Sequence, residues 1–357
     1  MPSFREGKVA AITEEHTDIV RALVATSEGD VESVGWPSML GPLRVGDRVV
    51  VNTTGIDLDL GTGGDAFILW NLDGAGPSTE SPGHVMKMRY TPWQMDVLSV
   101  ESPESPHHDA LATATSLEGT PVVACGLHSQ IAAVAAGIKA AAPGVRLGYL
   151  MTDGGALPLA WSNLVHALRA SDLIDVTCTG GHAFGGDLEA VNAFSGMAAL
   201  HHAAGADVVI ASLGPGVVGT DTTLGFSALE QGQLLDAASM LGGRSVACVR
   251  LSFADERERH RGVSHHSITS LRVAAALRCT VAVPYLPEEE GERVHLQLAA
   301  AGIDERHDVV WADGRPGLDL LCERGIEVTS MGRSLEETPE LFLAGAAAGS
   351  VAATYLA

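Results

Sequence analysis

Aromatic residues supply only 4% of this 357-residue chain, although hydrophobic residues reach 46%. Its core must therefore be built from Ala, Val and Leu, and at this length the chain can bury a large one. Positive charge is scarce as well: 22 Lys and Arg stand against 44 Asp and Glu, a net charge of −22. Nucleic acid and anionic membrane surfaces both need a basic patch, so neither is expected as a partner. The acidic residues are scattered, as on a solvated surface, and form no tail. The five cysteines, at positions 125, 178, 248, 279 and 322, are far apart and make no CxxC. This excludes a disulfide framework and a zinc ribbon, and it suits a reducing cytoplasm. The N-terminus lacks the long apolar core of a signal peptide.

Familiar motifs are missing too. The chain contains no P-loop, no GxSxG elbow and no HExxH, and Gly214, Gly216 and Gly219, although spaced as GxGxxG, stand eight residues before the expected helix and so make no dinucleotide fingerprint. One uncharged stretch, residues 341–357, reads LFLAGAAAGSVAATYLA, with Gly345 and Gly349 four apart. It sits at the short limit for a membrane span and is rich in Ala and Gly. A helix buried in the core or in a subunit interface fits this composition better, and a homo-oligomer formed through this C-terminal helix is an expectation.

What the chain does contain is organised around residues 206–235. Residues 208–211 form an apolar β-branched run, the glycine-rich loop of residues 214–220 follows, and a helix is expected from Ser227 onward. Strand, glycine loop and helix is a geometry in which backbone N–H groups and a helix N-terminus can face an anion. Glycines that only supply a positive φ would look the same.

Before this lies a region of short strands, at residues 8–13, 18–25, 31–34, 48–52 and 66–70, divided by turns. Five strands at this spacing predict a small β-barrel over residues 1–76. A glycine cluster at residues 60–65 could close over a neighbouring site. Residues 77–119 read as an extended connector rich in Pro, Ser and Gly, with β-like stretches at 85–90 and 95–100. From residue 120 to 357, apolar runs at 122–126, 145–151, 173–177, 208–211, 245–251, 280–283, 309–312 and 327–329 alternate with helices. The helices include 129–141, 159–170, 188–202 and 268–277. This predicts an α/β domain with a doubly wound, mostly parallel, Rossmann-like sheet.

In such a sheet, ligands bind beyond the carboxyl ends of the strands. His128, Asp153, His182, Asp187 and Glu189 all follow strands, as do the glycine loop and the segment of residues 252–266. The candidate acid–base residues are His260, His265, His266, His182, Asp153, Asp187 and Glu189. The candidate anion-binding residues are Gly214, Gly216, Gly219, Thr220, Arg257 and Arg261. Three histidines within seven residues, flanked by arginines, could serve as proton-transfer groups, metal ligands or an anion clamp. No ligand spacing assigns a metal, and no cofactor follows from the sequence. Asp187 could equally be a helix cap and Asp153 a turn residue. Cys178 follows a strand and precedes glycines, as a reactive thiol would, but a buried structural cysteine fits as well.

The segments MTDGGALP at 151–158, AFGGDLEAV at 183–191, the glycine run at 214–227 and HRGVSHHS at 260–267 resemble an uncharacterised bacterial family. It is known as domain of unknown function thirty-eight sixty-six, and the similarity covers nearly the whole chain. A weaker similarity is to the substrate-binding alpha subunit of glycine and betaine reductases. That resemblance implies self-cleavage at a cysteine to a pyruvoyl group, with Cys178 in the comparable region, although its flanking residues do not match a cleavage site. The leading expectation is an enzyme acting on a small anionic metabolite. Its rivals are a non-catalytic ligand-binding or regulatory module, a reductase-subunit-like protein with pyruvoyl chemistry, and an oligomeric scaffold.

Overall fold

A computed structural model describes residues 2–60, 64–74, 76–77 and 83–356. The chain divides into two compact units, residues 1–82 with 88–96, and residues 83–87 with 97–357.

The first unit is a closed five-stranded barrel built from β1 (Phe4–Glu15), β2 (Val20–Thr26), β3 (Gly29–Gly35), β4 (Arg48–Asn52) and β5 (Ala66–Asn71). The order is β1-β2-β3-β5-β4, and β4 pairs back onto β1. Every pairing is antiparallel except β3 with β5. The two-residue period that marked the strands places Val20, Ala22 and Val24 inward, with Val49 and Val51 from β4. β1 is longer than its apolar run because two register shifts, beside Val9 and Ile12, bend it around the barrel and add residues to it. Of the glycine cluster expected at residues 60–65, residues 61–63 lie outside the described residues.

The second unit is an α/β sandwich. Its strands are β6 (Pro121–Cys125), β7 (Leu147–Thr152), β8 (Val176–Thr179), β9 (Leu188–Glu189), β10 (Val208–Leu213), β11 (Arg244–Cys248), β12 (Thr280–Pro284) and β13 (Asp308–Ala312). They form one parallel sheet in the order β9-β8-β7-β10-β6-β11-β12-β13. The chain winds outward from β6 through β7 to β9, returns to fill the slot between β6 and β7 with β10, and then crosses to β11. Strands covered on both faces read as unbroken apolar runs, which is why most of them were visible in the sequence. Alternate residues feed the two cores. Val123, Ile210 and Val246 join one, and Val122, Val209 and Ala247 join the other.

Two expectations are corrected. Residues 188–189 are an edge strand and not the start of a helix, because Leu188 and Glu189 pair with Cys178 and Thr179. The helix begins at Ala193, where Asn192 accepts a hydrogen bond from the Ser195 N–H. The run at 327–329 does not join the main sheet: among the described residues, Thr329–Ser330 pairs only with Arg333–Ser334. The C-terminal helix Pro339–Ala353 is packed into the core of its own unit, with no residue from 340 to 353 exposed. Its own chain covers it, most closely the helix Ile131–Ala141, against which Gly345 lies 2.8 Å (from an ideal Cβ) from Ala133 Cβ. Among the described residues no helix is long and apolar enough to cross a membrane.

Candidate functional site

Beyond β11 the chain forms a small hairpin in which Leu251–Ser252 pairs antiparallel with Gly262–Val263. The hairpin returns the loop of residues 253–261 to the carboxyl edge of the sheet and leaves His260 at the end of a single helical turn, Glu258–His260. Ser264 then caps the helix His265–Thr269, its Oγ accepting from the His266 N–H at 3.2 Å. The same Oγ pairs with His260 Nδ1 at 2.8 Å. One serine thus ties the loop histidine to the helix that carries the other two.

The three imidazoles meet. Ring centroids are 4.8 Å apart for His260 and His265, 5.0 Å for His260 and His266, and 4.3 Å for His265 and His266. One ring nitrogen from each lies within 4.8 Å of the others. Phe226 stacks flat on His266, with centroids 4.0 Å apart and planes 5° from parallel. Gly219 borders the same ring, at a distance where a Cβ would make ordinary contact, 3.5 Å, with His266 Cε1. Two nitrogens in the cluster, His265 Nε2 and His266 Nδ1, are buried without a hydrogen-bond partner among the described residues. Leaving such an atom unpaired costs roughly 1–3 kcal/mol.

Arginines surround the cluster, each matched to a carboxylate. Arg257 grips Asp255 through Nε at 3.0 Å and Nη2 at 2.9 Å, and Arg250 reaches the same carboxylate at 3.4 Å. Arg259 pairs with Asp221 at 2.5 Å. The Arg257 guanidinium holds the Asp255 carboxyl far below the usual carboxylate range, while burial draws Arg250 down to about 10. Burial, then the Arg250 and Arg257 charges, lower His260 to about 4. Burial, then His265, lower His266 to about 3, and His265 is lowered by burial and by Arg259. Each of these shifts favours the neutral imidazole.

The glycine loop joins this cluster to a second polar group. At its far end Gly214 lies against Ala156, where a Cβ would strike the Ala156 carbonyl, and the Ala156 N–H donates to the Pro215 carbonyl at 2.7 Å. Gly216 adopts φ +96°, and Thr220 closes a turn by donating from its N–H to the Gly225 carbonyl at 2.7 Å. Asp153 accepts from the His182 N–H at 2.8 Å. Glu230 sits in the first turn of the helix Glu230–Met240, accepts from Thr152 Oγ1 at 2.9 Å, and has its pKa raised mainly by burial. This helix N-terminus therefore already faces a carboxylate of its own chain.

Other candidates lie at the β8–β9 margin. Asp187 accepts from the Thr177 N–H and Oγ1 and from Arg169. Glu189 accepts from the buried Lys87 at 2.5 Å, from Thr179 Oγ1 at 2.7 Å and from the Gly185 N–H at 2.7 Å. Cys178 is wholly buried, and burial pushes its thiol far above the ordinary value, leaving it without thiolate character. Arg261 is exposed, 4.0 Å from Glu258, and its carbonyl accepts from Gln297. Sequence reasoning passed over Arg250, Arg259, Phe226 and Ser264. Of these only Ser264 carried a visible cue, as a helix-capping serine directly before a helix. At the amino edge of the sheet, an open groove of about 710 Å³ is lined by Asp172, Asp175, Asp319 and Glu323 among others, with Lys139 paired to Asp175.

Fold and site together define a class: an α/β protein with an N-terminal β-barrel and a Rossmann-like parallel sheet that carries a histidine cluster at its carboxyl edge. Within that class the chain belongs to the family described as "Protein of unknown function (DUF3866)", which matches residues 32–349. Neither a curated protein nor a solved structure matches it, so the similarity to reductase alpha subunits finds no support.

Proposed function

We propose that this protein is an enzyme acting on a small anionic metabolite at the carboxyl edge of the parallel sheet. His260, His265 and His266 form the reacting centre, and Arg257 and Arg259 provide the cationic rim. The observation that carries this reading is the pair of buried ring nitrogens, His265 Nε2 and His266 Nδ1, left without partners among the described residues inside a cluster of three imidazoles. Buried polar atoms are almost always satisfied, and an exception is best explained by a group waiting to act on something. The arginines favour a negatively charged ligand, although each already has a carboxylate partner with which that ligand would compete.

The test is a thermal-shift titration of the full chain with inorganic phosphate, phosphate monoesters and small carboxylates, followed by turnover assays on those that bind. Wild type is expected to gain several degrees with at least one anion, and Arg259→Ala to lose most of that gain. His266→Asn should keep the shift and lose turnover. No response to any anion would overturn the reading, and turnover retained in His266→Asn would move the chemistry elsewhere.

A further inference from the structure

We infer that His260, His265 and His266 bind one divalent first-row transition-metal ion of the zinc class. This rests on the reading above that the cluster is the working centre, and it specifies how the centre works. The first argument is geometric. A tetrahedral zinc ion with bonds of about 2.0–2.1 Å needs its nitrogen ligands roughly 3.3 Å apart. Here one nitrogen from each ring already lies within 4.8 Å of the others, so small rotations about the side-chain torsions bring them together.

The second argument is chemical. Among the described residues, His265 Nε2 and His266 Nδ1 have no hydrogen-bond partner. On His260, Nδ1 is engaged by Ser264 and Nε2 remains. A metal ion takes the in-plane lone pair of a neutral imidazole, and it would satisfy several of these atoms at once. The donor set is nitrogen only, which suits zinc, copper, nickel or iron and not magnesium or calcium, whose ligands are oxygens.

The third argument is support. Metal-binding imidazoles are held in place by contacts outside the coordination sphere. Ser264 fixes the His260 ring through its other nitrogen, and the stacked Phe226 fixes the plane of His266. Two of the three ligands lie in the first turn of a capped helix, so their backbone is rigid. Asp255 and Asp221 offset the charge of the surrounding arginines. Three protein ligands leave a fourth position open, the pattern of catalytic rather than structural zinc. An ion there would polarise an oxygen of the bound anion or lower the pKa of a bound water.

The experiment is a titration of chelator-treated, desalted full-length protein with cobalt(II) chloride, followed by zinc(II) chloride. The expected result is one cobalt per chain, with the intense visible absorption of a tetrahedral nitrogen-coordinated ion, bleached by one equivalent of zinc. His265→Asn and His266→Asn should each abolish stoichiometric uptake, with circular dichroism confirming the fold. Ser264→Ala should retain the stoichiometry and weaken affinity about tenfold. A measurement on wild type alone covers the case in which the variants fail to fold: bound zinc should protect His265 from diethylpyrocarbonate. No cobalt band at saturating metal, an unchanged band in the folded histidine variants, or no protection of His265 would each overturn the site. The two readings separate cleanly. Anion-induced stabilisation of protein that takes up no metal would sink the metal site alone. Stoichiometric cobalt without any response to anions would sink the anionic-substrate reading alone.

Discussion

At the scale of single residues, this protein places histidines in two contrasting situations. His128, just past β6, is buried with both ring nitrogens paired, Nε2 with Ser162 Oγ at 2.6 Å and Nδ1 with Tyr149 Oη at 3.1 Å. Burial lowers its pKa to about 4. Unfolding returns it to the ordinary value near 6.5, so between about pH 6.5 and pH 4 the unfolded chain binds a proton that the folded chain refuses. Its contribution to stability is therefore full above that window and is lost as pH falls through it. Lowering the pH from 7 to 5 should cost about 2 kcal/mol through this residue alone. His128→Gln, compared with wild type by urea unfolding at both pH values, should show an acid loss smaller by about that amount. An equal loss in the variant would mean that other groups carry the acid sensitivity. Asp187 and Glu189 teach a related lesson. Their position after strands made them candidates for chemistry, yet the partners that engage them are the N–H, hydroxyl and cationic groups of the sheet margin. Position along the chain locates a residue at an edge but does not say which donors will turn toward it.

Elements show where local pattern suffices and where it fails. The buried strands were legible because six or so consecutive apolar residues have few other places to go. Leu188–Glu189 was not, since two residues make no pattern and only their neighbour defines them as a strand. The C-terminal helix was visible as a helix, but its role depended on its partner. Its Ala and Gly residues let it approach the helix Ile131–Ala141 so closely that a Cβ on Gly137 would strike the Ala346 carbonyl, and one on Gly349 the Val134 carbonyl. Alanine ordinarily favours a helix interior over glycine by roughly 1 kcal/mol. Here the collision wins, and Gly137→Ala should destabilise by about 1–3 kcal/mol. Chemical denaturation measures this directly, and a stabilised variant would show that the two helices can move apart freely.

On the scale of the whole molecule, a net charge of −22 is a repulsive load on the folded state. Raising sodium chloride from about 10 mM to about 150 mM shortens the screening length from about 30 Å to about 8 Å. The thermal midpoint should rise over this range. A fall would mean that attractive pairs such as Arg48–Asp73 and Arg257–Asp255 outweigh the general repulsion.

The sequence by itself determined the order of the two architectures, barrel then parallel sheet, and the sheet edge at which the candidate residues of the loops gather. Both follow from short-range pattern: period-two alternation, unbroken buried runs, and the rule that loops after parallel strands gather at one edge. Only the tertiary structure decided which polar residues on that edge meet. His260 reaches His265 and His266 because a two-residue hairpin turns the intervening loop back and one serine hydroxyl ties loop to helix. Two of their nitrogens stay unpaired because no hydrogen-bonding group among the described residues reaches them. Such facts depend on contacts between elements and on what burial withholds, and neither is written in the spacing of residues along the chain.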